Sequence, residues 1–233
     1  MDIMEYLDKM ANWHKDVWDF FNIDYTDFIR TTEWRHKKVV QEVLQTCYDR
    51  GDIYNWVYEW MYCVWCEAFK KDEDLIPDPN PPLNPPLSGG KVRLVCPDHL
   101  KEPEYLKEKN YFFRLSKYQT WIEEFYSQNP DFVKPDFRYN EVKAFVSRWL
   151  EDFSISRETN TFWIPLPFDE KQVTYVWFDA LLFYYTCCRY SRWWDKNNED
   201  FIDESDIFPV DLHVLWKDII RFHAIFWPCM LAS

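Results

Sequence analysis

Four side chains in this chain of 233 residues are of types that together hold a metal ion: Cys63 and Cys66 in "YEWMYCVWCEAF", and Cys96 and His99 in "VCPDH". The members of each pair are separated by two residues, the spacing at which one tight turn offers two donors. The pairs themselves lie 29 residues apart. Zinc takes four ligands at tetrahedral angles, and four protein ligands leave no position for a reactive water, so the pattern predicts a structural site. The plain alternative is a set of free thiols and a surface histidine, which leaves the repeated spacing to chance. The remaining cysteines, Cys47, Cys187, Cys188 and Cys229, stand in apolar helical contexts and read as small buried hydrophobes.

The elements that carry these turns are legible from periodicity. Residues 3–22 place Met4, Leu7, Ala11, Trp18 and Phe21 at helical intervals, and "DFIRTT" (27–32) predicts a short strand ending in Thr32 as an N-cap. Residues 33–50 predict an amphipathic helix with Val39, Val40, Val43, Leu44 and Cys47 on one side, closed by Gly51. From Ile53 the period becomes two: Tyr54, Trp56, Tyr58, Trp60 and Tyr62 share one face of a strand that runs into Cys63. "IPDPNPPLNPPLSGG" (76–90) has six prolines and predicts a stiff polar loop that neither pairs nor turns helical. Helical patterning returns at 116–128 and 139–150. "VTYVWF" (173–178) and "DLHVLW" (211–216) predict buried strands, each leading into a helix, with the acidic loop 195–206 between them. Two such units in succession indicate an α/β fold with a parallel sheet.

Composition narrows the classes further. Apolar residues make up 47% and charged residues 29%, which is globular usage, and no apolar run approaches the ~18 residues of a membrane span. "MDIMEYLDKM" lacks a basic-then-apolar signal pattern, so a soluble cytoplasmic protein with no membrane partner is expected. A net charge of −13 argues against a nucleic-acid coat, and no DNA partner is expected. The basic run "RHKK" (35–38) reads as a solvated helix face. One count is abnormal. Glycine occurs 3 times, where usage of about 7% gives roughly 16, and tryptophan occurs 14 times.

"DFIRTTEWRHKKVVQ", "YCVWCEAF", "CPDH", "NYFFRLSKYQ", "LEDFSISR", "VTYVWFDALLFY" and "DLHVLWKDIIRFHAIFWPCML" together resemble the methionyl-tRNA synthetases, in colinear order over nearly the whole chain. The resemblance implies an α/β, Rossmann-like class I synthetase core split by a zinc-binding connective insertion. Residues 1–54 would end the first half of the nucleotide fold, 55–165 would be the insertion, and 166–233 would begin the second half. Methionine, ATP with Mg2+, and tRNA(Met) are the implied substrates, and Zn2+ on Cys63, Cys66, Cys96 and His99 the implied structural metal. The methionine pocket would use Trp177, Ala180, Tyr184, His223, Phe226 and Trp227, of which His223, Phe226 and Trp227 share a helix face by spacing. Unaided, such aromatics read as core. Lys217 and Asp218, at a strand end and helix start, would meet ATP; unaided, Asp218 is equally a helix-initiating acid.

Two departures from the family pattern matter. Its His-x-Gly-His and Lys-Met-Ser-Lys-Ser signatures do not occur in the sequence, so the chain is expected to be an interior fragment, inactive alone and without a catalytic residue of its own. Leu181 stands where many members have proline. Family members also commonly carry glycine where this chain has Trp56, Trp60, Trp149, Trp163 and Trp216, whereas Trp177 and Trp227 fall at family tryptophans. That pattern is expected if UGA codons for glycine have been read as tryptophan. Two other functions fit parts of the sequence: a stand-alone zinc module that binds a partner through aromatic surface, and a synthetase for leucine, isoleucine or valine.

Overall fold

Residues 2–65, 68–80, 93–158, 163–189 and 208–233 are described by the structure, a computed structural model. Its α-helices are α1 (Ile3–Phe20), α2 (Trp34–Asp49), α3 (Gln119–Gln128), α4 (Asp136–Val146), α5 (Val176–Leu181), α6 (Phe183–Arg189) and α7 (Trp227–Ala232). Its strands are β1 (Ile53–Cys63), β2 (Ala68–Lys70), β3 (Ile76–Pro77), β4 (Leu94–Val95), β5 (Glu104–Phe113), β6 (Phe153–Ser154), β7 (Ser156–Arg157), β8 (Pro165–Leu166) and β9 (Asp169–Thr174). The chain divides into two compact units, Met1–Val39 with Leu182–His213, and Val40–Leu181 with Val214–Ser233.

In the first unit, α1 forms where the stripe predicts it. Trp18 packs edge-on against Tyr25 and Phe28, at ring-centroid distances of 5.2 and 5.1 Å, but no residue of the helix is buried. Residues 27–32 do not form the predicted strand. A strand needs a neighbour for its ladder; here the segment bends so that Asp27 accepts two hydrogen bonds of 2.7 Å from the Arg35 guanidinium, while Glu33 accepts one of 2.6 Å from Nε. This also overturns the solvated-face reading of "RHKK". Arg35 and His36 are buried and only Lys37 and Lys38 are exposed, because Arg35 finds its two carboxylates and His36 lies 2.9 Å from the Thr186 hydroxyl and against the Phe183 ring. No helix among the described residues is long and apolar enough to cross a membrane.

The second unit is built on antiparallel sheet. A four-stranded sheet runs β2-β1-β5-β6, and a three-stranded one runs β7-β9-β8. β1 and β5 pair residue for residue from Ile53 opposite Phe113 to Tyr62 opposite Glu104. Ile53, Cys63 and Phe113 are buried on one face, while Tyr54 meets Phe112 on the other; burial does not alternate strictly, since Trp56 and Val57 are both exposed. Gly51 ends α2 as predicted, at φ 75°, a conformation that costs a residue without Cβ little. The sheets are joined by Ser156, whose hydroxyl accepts from the Tyr111 amide at 2.8 Å and donates to Gln172, whose amide donates in turn to the Lys109 carbonyl.

Several expectations are corrected. Ile76 and Pro77 do pair, opposite Val95 and Leu94; a two-residue edge ladder has a side that needs no donor, which is where proline fits. Residues 81–90 of the proline-rich loop, and the acidic loop 195–206, lie outside the described residues. The run 173–178 is not one strand: β9 stops at Thr174, pairs antiparallel with β7 and β8, and α5 begins at Val176. Residues 211–216 form no strand, and every strand pairing among the described residues is antiparallel. Nor is the second run buried: Leu212, Val214 and Trp216 are exposed, because apolar character alone supplies neither a covering element nor the neighbouring strand that a parallel ladder requires. The predicted helix at 139–150 is α4, which starts earlier, at Asp136.

Phe113 is fully buried, with the rings of Tyr118, Phe153 and Phe178 at 5.8, 5.6 and 6.2 Å. Phe113→Ala should destabilise the protein by about 3–5 kcal/mol, read as a lowered denaturant midpoint.

Candidate functional site

The metal-type residues sit at the ends of strands. Cys63 closes β1, and Cys96 follows β4 directly. The "CPDHL" turn folds back on itself: the Leu100 amide donates to the Cys96 carbonyl at 2.8 Å, and the Cys96 amide to the Lys101 carbonyl at 2.9 Å. Ligand atoms of Cys63, Cys96 and His99 all lie within 4.8 Å of one another. Cys96 Sγ stands 3.9 Å from His99 Nδ1, against about 3.6 Å for neighbouring donors on a tetrahedral zinc with bonds of about 2.0–2.3 Å. Both thiols are buried and neither is in a disulfide. Two soft sulfurs and an imidazole at this separation fit zinc. Cys66, the fourth predicted ligand, lies outside the described residues.

Elsewhere in the second unit, rings gather around a cavity of about 520 Å³. Trp177, in the first turn of α5, stacks on Phe222 with centroids 3.8 Å apart and planes 10° from parallel. Phe226 meets Phe222 edge-on at 5.1 Å and stacks on Phe153 at 4.4 Å. Phe222, Phe226 and Trp177 line the cavity, with Trp149 and the arginines 148, 157 and 221 also at its surface. Several polar groups of the lining are already engaged. Arg157 donates to Ser154 Oγ at 2.7 Å and covers the Tyr175 ring, and Asp152 accepts from the Tyr54 hydroxyl at 2.9 Å and from Ser116 Oγ at 2.6 Å. Aromatic rings form one wall of the cavity, and charged side chains, among them Arg148, Glu151 and Arg221, share the lining with them.

The predicted methionine-binding residues are not all brought to this cavity. Trp177 and Phe226 line it; Ala180, His223 and Trp227 do not, and His223 and Trp227 are buried. Tyr184 belongs to the first unit, where its ring lies edge-on to His213 at 4.2 Å. Lys217 and Asp218 are exposed in a 3-10 turn, Lys217–Ile219, with their charged groups 3.5 Å apart. Periodicity missed Phe222 and Phe153. Residues Phe222–Phe226 form a π turn, and its two phenylalanines, four residues apart, share the face that lines the cavity. An α-helical count from His223 passes over its neighbour Phe222, and only the density of rings in "RFHAIFW" gave any sign of it.

Burial sets the titration of several groups in the two units. His223 lies with Nδ1 3.0 Å from the Ile219 carbonyl, and burial lowers its pKa below the ordinary 6.5. Burial pushes the thiols of Cys187 and Cys229 up to about 12 and raises that of Cys47, which favours the protonated form at neutral pH; Cys47, Cys188 and Cys229 are buried, as read from sequence, whereas Cys187 is half-buried.

The family model for class I tRNA synthetases (M) matches residues 1–233. This chain belongs to that family. It is 43% identical to the methionine–tRNA ligase of Nostoc sp. over 98% of its own length and 40% of that relative's, and 44% identical to the Streptomyces coelicolor ligase over 97% and 39%. The solved Mycobacterium tuberculosis methionyl-tRNA synthetase in complex with methionyl-adenylate superimposes with a TM-score of 0.77 at 33% identity, over 94% of this chain and 40% of that one. The chain thus spans about 40% of the length of the relatives it matches. Its fold is that of the class I synthetase catalytic core, with mixed helix and strand.

The lowered pKa of His223 has a definite pH signature. The unfolded chain takes up the proton first as pH falls, so the stability linked to neutral His223 is complete above 6.5 and is lost as pH drops through the lowered native value. In His223→Gln the fall in unfolding midpoint between about pH 7.5 and pH 5 should be smaller than in the parent.

Proposed function

We propose that this chain is part of the catalytic region of a methionine–tRNA ligase acting in the cytoplasm. In the reaction a carboxylate oxygen of methionine attacks the α-phosphorus of ATP, pyrophosphate leaves, and the aminoacyl group of methionyl-adenylate passes to the terminal ribose hydroxyl of tRNA(Met) with release of AMP. The observation that carries this reading is the stacked wall of Trp177, Phe222 and Phe226 in a chain whose relatives are named methionine–tRNA ligases. Aromatic faces gain about 0.3–1.5 kcal/mol per contact with a thioether sulfur and ask for no hydrogen bond.

In this reading the wall takes the methionine side chain. His223, neutral and donating Nδ1–H to Ile219, and Trp227 hold the helix that carries Phe222 and Phe226. Ala180 and Tyr184 keep their assignment to the methionine pocket from the sequence resemblance. Lys217 and Asp218, an exposed pair, would meet ATP phosphate and ribose. Residues 1–54 and 166–233 belong to the two halves of the nucleotide fold, and 55–165 to the connective insertion. A zinc ion held by Cys63, Cys66, Cys96 and His99 would tie the end of β1 to the turn after β4, a structural task with no open coordination position.

The test uses the full-length enzyme that contains this segment. Methionine-dependent pyrophosphate exchange is expected, and Trp177→Ala should raise KM for methionine at least about tenfold; exchange driven by leucine, isoleucine or valine would refute the reading. The 233-residue chain by itself should show no exchange above background. Metal analysis should find about one zinc per chain in the parent and almost none in Cys63→Ser or Cys96→Ser.

A further inference from the structure

Trp149 follows α4 with φ 70°, in the left-handed region. Its amide donates to the Val146 carbonyl at 3.2 Å. Gly51 ends α2 in the same way, at φ 75° with its amide donating to the Tyr48 carbonyl at 2.9 Å. This position after a helix is the one glycine most often fills, because a Cβ there collides with its own backbone. Packing does not repay the strain at 149: the side chain is 76% exposed.

Left-handed backbone alone does not identify a glycine position, since Leu100 has φ 52°. Two independent facts single out residue 149. It is tryptophan, one of 14 in a chain with 3 glycines, and the codons UGG and UGA differ only in the third base. A reading of UGA as tryptophan in place of glycine would produce the surplus and the deficit together. We propose that residue 149 is glycine in the polypeptide as its own organism makes it, encoded by UGA. The exposed indoles of Trp56 and Trp216 stand on backbone that does not require glycine, so the structure singles out position 149 alone.

The inference bears on the cavity. Trp149 is part of its lining, beside Arg148 and Glu151. Glycine at 149 removes that indole from the surface and leaves Trp177, Phe222 and Phe226 as the aromatic wall. The proposal concerns the polypeptide itself and stands or falls independently of the ligand assigned to the cavity.

Trypsin cleaves after Arg148 and next after Arg157, so residue 149 begins a peptide that mass spectrometry of the native protein reads directly. A peptide starting with glycine, together with UGA in the gene, is the expected result; tryptophan at that position, or a UGG codon, overturns the proposal. A second measurement addresses the backbone. In the recombinant protein Trp149→Gly should raise the unfolding midpoint by about 3 °C, and Trp149→Ala, which keeps the Cβ, should recover clearly less. Equal midpoints for the glycine and alanine variants would remove the structural ground for a glycine there.

Discussion

The register of β1 against β5 is the constraint on which the second unit depends. Ten consecutive residues of each strand face one another, from Ile53–Phe113 to Tyr62–Glu104. A slip by one residue would exchange the two faces of a strand along its whole length. Cys63 would then leave the buried face that it shares with Ile53, and Phe113 would leave the ring cluster of Tyr118, Phe153 and Phe178. One ladder therefore holds the metal-type cluster at one end and the packing beside the cavity at the other. The Ser156–Gln172 chain of hydrogen bonds passes that register to the second sheet, because it ends on the backbone of Tyr111 and Lys109 in β5.

The two chemical centres of this unit use opposite physics. At Cys63, Cys96 and His99 the donors stand close together, a costly arrangement for thiolates unless a cation sits between them. At the cavity wall the energy comes from ring contacts. Trp177, Phe222, Phe226 and Phe153 pack on one another, and His223 is kept neutral by burial behind them. Under the proposed function this aromatic wall, within a lining that also carries charged side chains, would distinguish an apolar side chain by shape and dispersion, which discriminates only modestly between near isosteres. The sulfur–aromatic contact adds a preference that branched aliphatic side chains lack.

Trp149 shows how a sequence anomaly and a structural one sharpen each other. The shortage of glycine was visible from the composition, and the family resemblance narrowed fourteen tryptophans to positions 56, 60, 149, 163 and 216 without ranking them. Backbone conformation supplies that reason, since only at 149 does a tryptophan adopt left-handed φ among the described residues. The same comparison limits the claim, because Trp56 and Trp216 are exposed without being strained.

What the sequence determined alone is what local spacing encodes. The two-residue gaps in the Cys63 and Cys96 turns, the alternation of β1, the stripes of α1 and α2 and the closure at Gly51 all follow from periodicity and single-residue geometry. The family, too, was legible in the colinear blocks. Tertiary structure decided what depends on partners. Residues 27–32 and 211–216 look like strands but lack a pairing neighbour; Arg35 and His36 look solvated but find Asp27, Glu33 and Thr186. Phe222 stacks on Trp177, a ring from another helix, and a count of residues along one helix does not reach that contact. A side chain's periodicity is fixed by its own backbone, whereas its hydrogen-bond and ring partners come from residues distant in sequence, and only folding brings those together.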